Sequence, residues 1–378
     1  MRAWHGLMLV MALDACTPGQ EGSDAGTGGT DAAVTTEDGG MNTPDAGAPD
    51  AGEPPVYTWQ QLTTPSDGPV GRWAYIVAEL GNHQALLFGG TTYNATGGAL
   101  QDDTWLVDVR SGEPQFTRLL TTAQPSPRYC GCATYDSARN KVILVGGRAA
   151  DLLDTETWEF DLETSDWTEI PLTSQPGGGL GCAMAYSPDA NATYLYGGAE
   201  YTGSRRETWR YDAAGPSWTI LDVDSPNARY DSVFRHVAPG QPMLLFGGSR
   251  SAQSAFYKEV WRFDVNTETW TETEVQGELP GGRRVAWMVM EPDASAFLMG
   301  FGVHGLTADD AYADLWRFDL ARSTWQPLSA TGPSPRGFAM ALPGGPGHAG
   351  LLLGGYSMTD PLSDLWRLEP SASDPRWN

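Results

Sequence analysis

Five arginines recur at one place in a repeating pattern. Arg72, Arg128, Arg229, Arg283 and Arg336 each stand seventeen or eighteen residues before a glycine pair or its Gly-Phe-Gly substitute. A guanidinium offers a planar fork of donors that fits carboxylates and other oxyanions, and like charges gathered together need counter-charge. Internal ion pairs and an anionic ligand both satisfy that need. A second set is aromatic: Tyr93, Tyr201, Tyr257, Tyr312 and Tyr356, in polar stretches that also carry Arg205, Arg206, Asp309 and Asp310. Tyrosine brings flat area and one hydroxyl, which suits sugar or peptide contact, although turns beside sheets are also rich in it. Metal and nucleophile chemistry is poorly represented. His83, His236, His304 and His348 are scattered with no ligand spacing, and no G-x-S-x-G, H-E-x-x-H or phosphate-cradling glycine loop occurs. No metal, cofactor or catalytic residue is expected.

The elements that must position these residues repeat with a period of 50 to 57 residues. An apolar run ends in Gly-Gly (89–90, 146–147, 197–198, 247–248, 354–355; Gly300-Phe301-Gly302 in the fifth copy). A first tryptophan follows, at 105, 158, 209, 261, 316 and 366, then a second at 167, 218, 270 and 325, with Phe116 in its place in the first copy. Each unit holds about four short runs rich in aromatic and β-branched residues; in the fourth they are roughly 230–236, 242–246, 259–264 and 269–275. One four-stranded sheet cannot bury both its faces, whereas radial stacking of six sheets buries them all. Asp161, Asp212, Asp264 and Asp319 lie six residues before the second tryptophan, where a short acceptor can fold an Asx-turn.

Period and motifs together resemble the kelch repeats over roughly residues 57–378. The resemblance implies an all-β, six-bladed propeller with four antiparallel strands per blade. Tyr57–Leu62 reads as a fourth strand ahead of the first unit, so the strand around Trp59 is expected to close the last blade, with Trp377 the rival. In kelch domains the arginine position faces the mouth of the central channel, which makes the five arginines a candidate binding ring. The tyrosine-bearing loops between second and third strands then form the rim. Cys130, Cys132 and Cys182 fall in innermost strands of the second and third blades, so a bridge from Cys182 to Cys130 or Cys132 is conceivable, as are three small buried residues. Kelch enzymes exist, among them copper-radical galactose oxidases and sialic-acid mutarotases. The first need two His, two Tyr and a Cys, and the four histidines of residues 57–378 lie in four different units. The second need a base beside carboxylate-binding groups, for which Glu207 or Asp231 with Arg229 could serve.

Residues 1–15 read as a secretory signal, an apolar run too short to span a bilayer. It ends in Leu-Asp-Ala-Cys, which resembles the lipobox of bacterial lipoproteins and implies a lipid on Cys16; Asp14 departs from that pattern. Thr17, in place of an inner-membrane-retaining Asp, favours the outer membrane or cell surface, with a secreted or periplasmic soluble form as alternative. Residues 16–55 are Gly, Ala, Asp, Thr and Pro with eight acids and no basic residue, the composition of a disordered tether. The chain carries −24; removing the linker's −8 leaves about −16 on residues 56–378, which argues against nucleic acid. The sequence is therefore read as a monomeric, non-catalytic binding module for a protein or glycan. A kelch-type carbohydrate-active enzyme is the alternative.

Overall fold

The computed structural model describes residues 56–371, apart from 151 and 178. Expectations for the signal segment, Cys16, the linker and Trp377 lie outside these residues. Six four-stranded antiparallel sheets are arranged as the blades of a propeller. In blade 1 the strands are Ile76–Gly81, Gln84–Phe88, Thr104–Asp108 and Gln115–Leu119, numbered here from the axis outward. Blade 4 runs Val233–Arg235, Met243–Phe246, Val260–Asp264 and Thr269–Glu272. Its inner strand starts later than the composition suggests because Asp231, at φ +57°, turns the backbone out of the extended region. Short two-stranded ribbons, Arg148–Ala149 with Leu152–Leu153, Ala199–Glu200 with Gly203–Ser204, and Ser249–Ser251 with Ser254–Phe256, rise from the loops between second and third strands of blades 2, 3 and 4.

Blade 6 takes Met340–Pro343, Gly350–Leu353 and Leu365–Pro370 from one end of the described chain and Tyr57–Leu62 from the other. Trp59 pairs with Leu368, and Ser371 N–H donates to Val56 O at 2.8 Å. The N-terminal strand thus closes the ring.

In the four units that have one, the second tryptophan reaches the preceding blade. Trp167 packs on Phe88 at 5.4 Å, Trp270 on Tyr196 at 5.1 Å and Trp325 on Phe246 at 5.2 Å between ring centroids. The indole N–H of Trp167, Trp218 and Trp270 each donates to a threonine of that neighbour (Thr104, Thr157, Thr208) at 2.9 to 3.0 Å. An apolar ring with one polar edge fills the gap and satisfies a buried hydroxyl at once. Trp59 plays the same part for blade 6, against Phe301 at 5.7 Å and Trp287 at 5.4 Å. Phe301 stands where other blades have the first glycine of the pair, with φ +57°. Its side chain supplies the aromatic surface that Gly300 cannot. The Asx-turns also form: Asp161, Asp212, Asp264 and Asp319 each accept from a backbone N–H two or three residues on, as does Asp108 in the first unit.

Cys132 and Cys182 form a disulfide with Cα atoms 5.7 Å apart, joining the inner strands of blades 2 and 3; Cys130 takes no part in it. Replacing Trp59 by alanine removes the seal between the closing strand and blade 5. We expect a loss of about 2–4 kcal/mol in denaturant unfolding, with more than ~1 kcal/mol needed to sustain this account.

Candidate functional site

The five arginines are 0–1% exposed. Each guanidinium is held inside its own blade by three partners. Nε donates to the carbonyl two residues earlier: Val70, Ser126, Asn227, Gly281 and Ser334. Nη1 donates to the carbonyl of the first glycine-pair residue at 2.9 to 3.2 Å, with Phe301 filling that role in blade 5. The third partner is the acid two residues before the first tryptophan. Arg72 meets Asp103 at 3.0 Å, Arg128 meets Glu156 at 2.7 Å, Arg283 meets Asp314 at 2.7 Å and Arg336 meets Asp364 at 2.9 Å. Arg229 lies 3.6 Å from Glu259 and stacks on Tyr257 at 3.9 Å. Of the two ways of meeting these charges, internal ion pairs are the one seen: the guanidiniums are buried and answered from within rather than open at a channel mouth.

An acid occupies this position in all six units: Asp103, Glu156, Glu207, Glu259, Asp314 and Asp364. In blade 3, where no arginine is present, Glu207 instead lies 3.9 Å from Arg205 and accepts from Arg206 N–H. Where the acid also faces the indole, it takes that proton too: Trp105, Trp158, Trp316 and Trp366 donate at 2.7 to 3.3 Å. Burial pushes the Asp103 and Asp364 carboxyls up, but the hydrogen bonds and charge of Arg72 and Arg336, with the indoles, outweigh it and hold both below the ordinary carboxylate range.

The tyrosines divide. Tyr201 is 58% exposed at the tip of the blade 3 ribbon. Tyr93 is half-buried, and its carbonyl accepts from the Trp73 indole. Tyr257 and Tyr312 lie over Arg229 and Arg283, the latter at 4.0 Å. Tyr356 does not reach the rim: it is fully buried against Trp73, ring centroids 4.9 Å apart. Arg205 pairs with Glu200, while Arg206 is exposed and reaches Asp224 at 2.9 Å.

Around the axis, Ala74, Cys130, Gly181, Asp231, Val285 and Phe338 all adopt φ between +50° and +60°. Their backbones bond from blade to blade, Cys130 N–H to Ala74 O, Gly181 to Cys130, Asp231 to Gly181 and Val285 to Asp231, at 2.6 to 3.2 Å. Over this ring lies an apolar layer from all six blades that includes Trp73, Tyr129, Leu180, Tyr230, Val303 and Tyr356. Arg284 enters it and pairs with Asp231 at 2.9 Å; burial nonetheless raises the Asp231 carboxyl to about 6. Below the ring the axis holds two adjoining cavities of about 210 and 220 Å³. The lower one reaches Ser137, Pro188 and His236, at the ends of inner strands away from the arginines.

Of the six acids before the first tryptophans, sequence reasoning named only Glu207 and missed the sixfold recurrence; it also missed an ion pair across the axis, Glu79 with Arg235 at 3.1 Å, for which no repeat exists. Among the described residues, no group of three or more His, Cys, Asp or Glu is placed to hold a metal ion.

Residues 174–342 match the model of the KLHDC2/KLHL20/DRC7 Kelch-repeats domain. The chain is 27% identical over 256 residues to the putative adagio-like protein 2 of Oryza sativa subsp. japonica, covering 61% of this chain and 38% of that protein. It is 26% identical over 210 residues to the Rab9 effector protein with kelch motifs of Bos taurus (54% and 55%), and 26% over 217 residues to the human kelch domain-containing protein 3 (51% and 52%). The chain thus spans about half or less of the length of these relatives. The solved structure of YjhT superposes with a TM-score of 0.58 at 12% identity, over 79% of this chain and 94% of that one.

Replacing Asp364 by asparagine leaves Arg336 buried beside a neutral amide and is expected to cost about 3 kcal/mol in denaturant unfolding. Because the folded carboxyl titrates below its unfolded value of about 4, its contribution is present above that pH and lost as the pH falls through the folded value. The variant should therefore show a shallower loss of stability below about pH 4 than the parent chain; equal slopes would contradict the pairing.

Proposed function

We propose that this chain, which belongs to the kelch-repeat family, is a non-catalytic binding module whose rim docks a protein partner through the ribbons of blades 2 and 3. The observation that carries this reading is a pair of large apolar side chains presented to solvent on neighbouring ribbon tips: Leu152, 69% exposed, and Tyr201, 58% exposed. Leu153 N–H donates to the Tyr201 hydroxyl at 3.1 Å, so the two tips are tied across the blade boundary and their geometry is set before any partner arrives. Preorganised aromatic and aliphatic anchors ringed by polar groups are what protein interfaces concentrate their energy in. Arg206 and the Arg205–Glu200 pair supply such a polar surround.

The five buried arginines serve the scaffold in this reading and the rim does the recognising. A lipid on Cys16 and the acidic stretch 16–55 would hold the propeller away from a membrane, at the outer face of a bacterial envelope. A glycan partner is the other ligand class that the tyrosine could serve.

Photo-crosslinking from position 152 in cells, compared with the Tyr201→Ala background, tests the rim. A discrete crosslinked protein that weakens about tenfold in the variant supports it. An unchanged adduct, or a glycan-array signal that needs Tyr201 with no protein adduct, overturns it. Independently, Cys16→Ser should move the chain from the membrane fraction to the soluble fraction; a wild-type chain already soluble would remove the tether from the proposal.

A further inference from the structure

Below the apolar layer, the axial cavities are crossed by an ion pair. Glu79 comes from the inner strand of blade 1 and Arg235 from that of blade 4, on the opposite side of the ring, with Arg235 Nη2 3.1 Å from Glu79 Oε1. Arg235 lines both cavities and Glu79 the lower one. The pair differs from the scaffold pairs. Arg235 is 32% exposed where the five scaffold arginines are buried, and Glu79 Oε1 makes no hydrogen bond among the described residues despite being shielded from solvent. Beside it His236 Nε2, 3.8 Å from Asp189, is also shielded without a hydrogen-bond partner there. Burial, opposed by Asp189, lowers the His236 pKa, so the ring is neutral at pH 7 and its Nε2 can accept or donate. Poorly aligned and unsatisfied polar atoms inside a fold call for an explanation, because each costs free energy that the folded state must offset. The wall also carries adaptable apolar side chains, Phe234 with Met184, Met288 and Met290, beside the polar Thr134, Tyr135, Ser137 and Tyr186.

We propose that this axial cavity binds a small zwitterion, an α-amino acid with an apolar side chain. Its carboxylate takes Arg235, its ammonium takes Glu79, and its side chain lies among the methionines. The argument is one of charge exchange in a shielded place. Parting Glu79 from Arg235 around a neutral polyol leaves both charges with weaker partners, whereas a zwitterion replaces each partner by one of the same sign and better alignment. A ligand with one charge compensates only half the pair. The inference is independent of the rim: it concerns the axis, entered from the face opposite the ribbons.

Calorimetric titration of the full chain with L-methionine and L-leucine tests it, alongside N-acetyl-L-methionine, L-methionine methyl ester and glucose. Saturable binding of the free amino acids, at least about tenfold weaker for both blocked forms and for Glu79→Gln or Arg235→Gln, is the expected result. Tyr201→Ala should leave it unchanged. Met288→Trp, which fills the cavity without touching either charge, should abolish it, and it decides the matter if a charge variant fails to melt like the parent. No heat up to about 10 mM, equal binding of the blocked forms, or binding of glucose instead overturns the proposal.

Discussion

One backbone contact, repeated six times, makes the ring. The second residue of each glycine pair donates its N–H to the carbonyl at the arginine position of the next blade: Gly90 to Arg128, Gly147 to Gly179, Gly198 to Arg229, Gly248 to Arg283, Gly302 to Arg336 and Gly355 to Arg72. The last of these runs from blade 6 to blade 1 and completes the circle. Such an approach leaves little room for a side chain. A Cβ on Gly89 or Gly197 would come within 2.4 Å of the next blade's carbonyl oxygen, and both glycines have φ near +65°. Glycine is thus required twice over, by conformation and by contact.

The buried arginines extend the same joint. Each carbonyl that accepts from the previous blade belongs, in five cases, to a residue whose side chain turns back into its own blade and ties the end of the second strand to the start of the third. Tertiary stability is thereby carried by a hydrogen-bonded charge at every blade boundary but one. Blade 3 has Gly179 at the arginine position, and the covalent bond Cys132–Cys182 joins it to blade 2 nearby. Every arginine-bearing blade supplies an acid to its own arginine.

The architecture was legible because it is periodic. Six copies of an apolar run and a first tryptophan, five of them with a glycine pair and four with a second tryptophan, announce their own boundaries, and even the closing strand could be read from Trp59. What resisted reading is what periodicity does not carry. The resemblance alone placed the arginine ring at a mouth, and the acid that meets Arg336 is Asp364, 28 residues on, a neighbour only in the folded blade. Tyr356 and Tyr201 sit in corresponding loops, yet Tyr356, directly after its glycine pair, is folded under Trp73, and Tyr201, three residues after its pair, stands on a ribbon tip; place within the loop and not residue type makes the difference. Glu79 and Arg235 belong to units that share no partner motif, and only closure of the ring brings them face to face.

The shared last blade has a consequence for how the chain comes into being. During synthesis Tyr57–Leu62 emerges first among the described strands, and its partner Leu365–Pro370 emerges last. Blades 1 to 5 draw all four strands from contiguous sequence and can assemble as they appear; the sixth cannot begin to close until nearly everything else exists. Throughout that interval a strand bearing an unpaired edge and an uncovered tryptophan is present, which is the kind of surface on which neighbouring nascent chains pair with one another. Joining the two ends therefore makes the finished ring seamless at the cost of a long wait, and a cell that makes this protein has reason to keep that first strand guarded until the last one arrives.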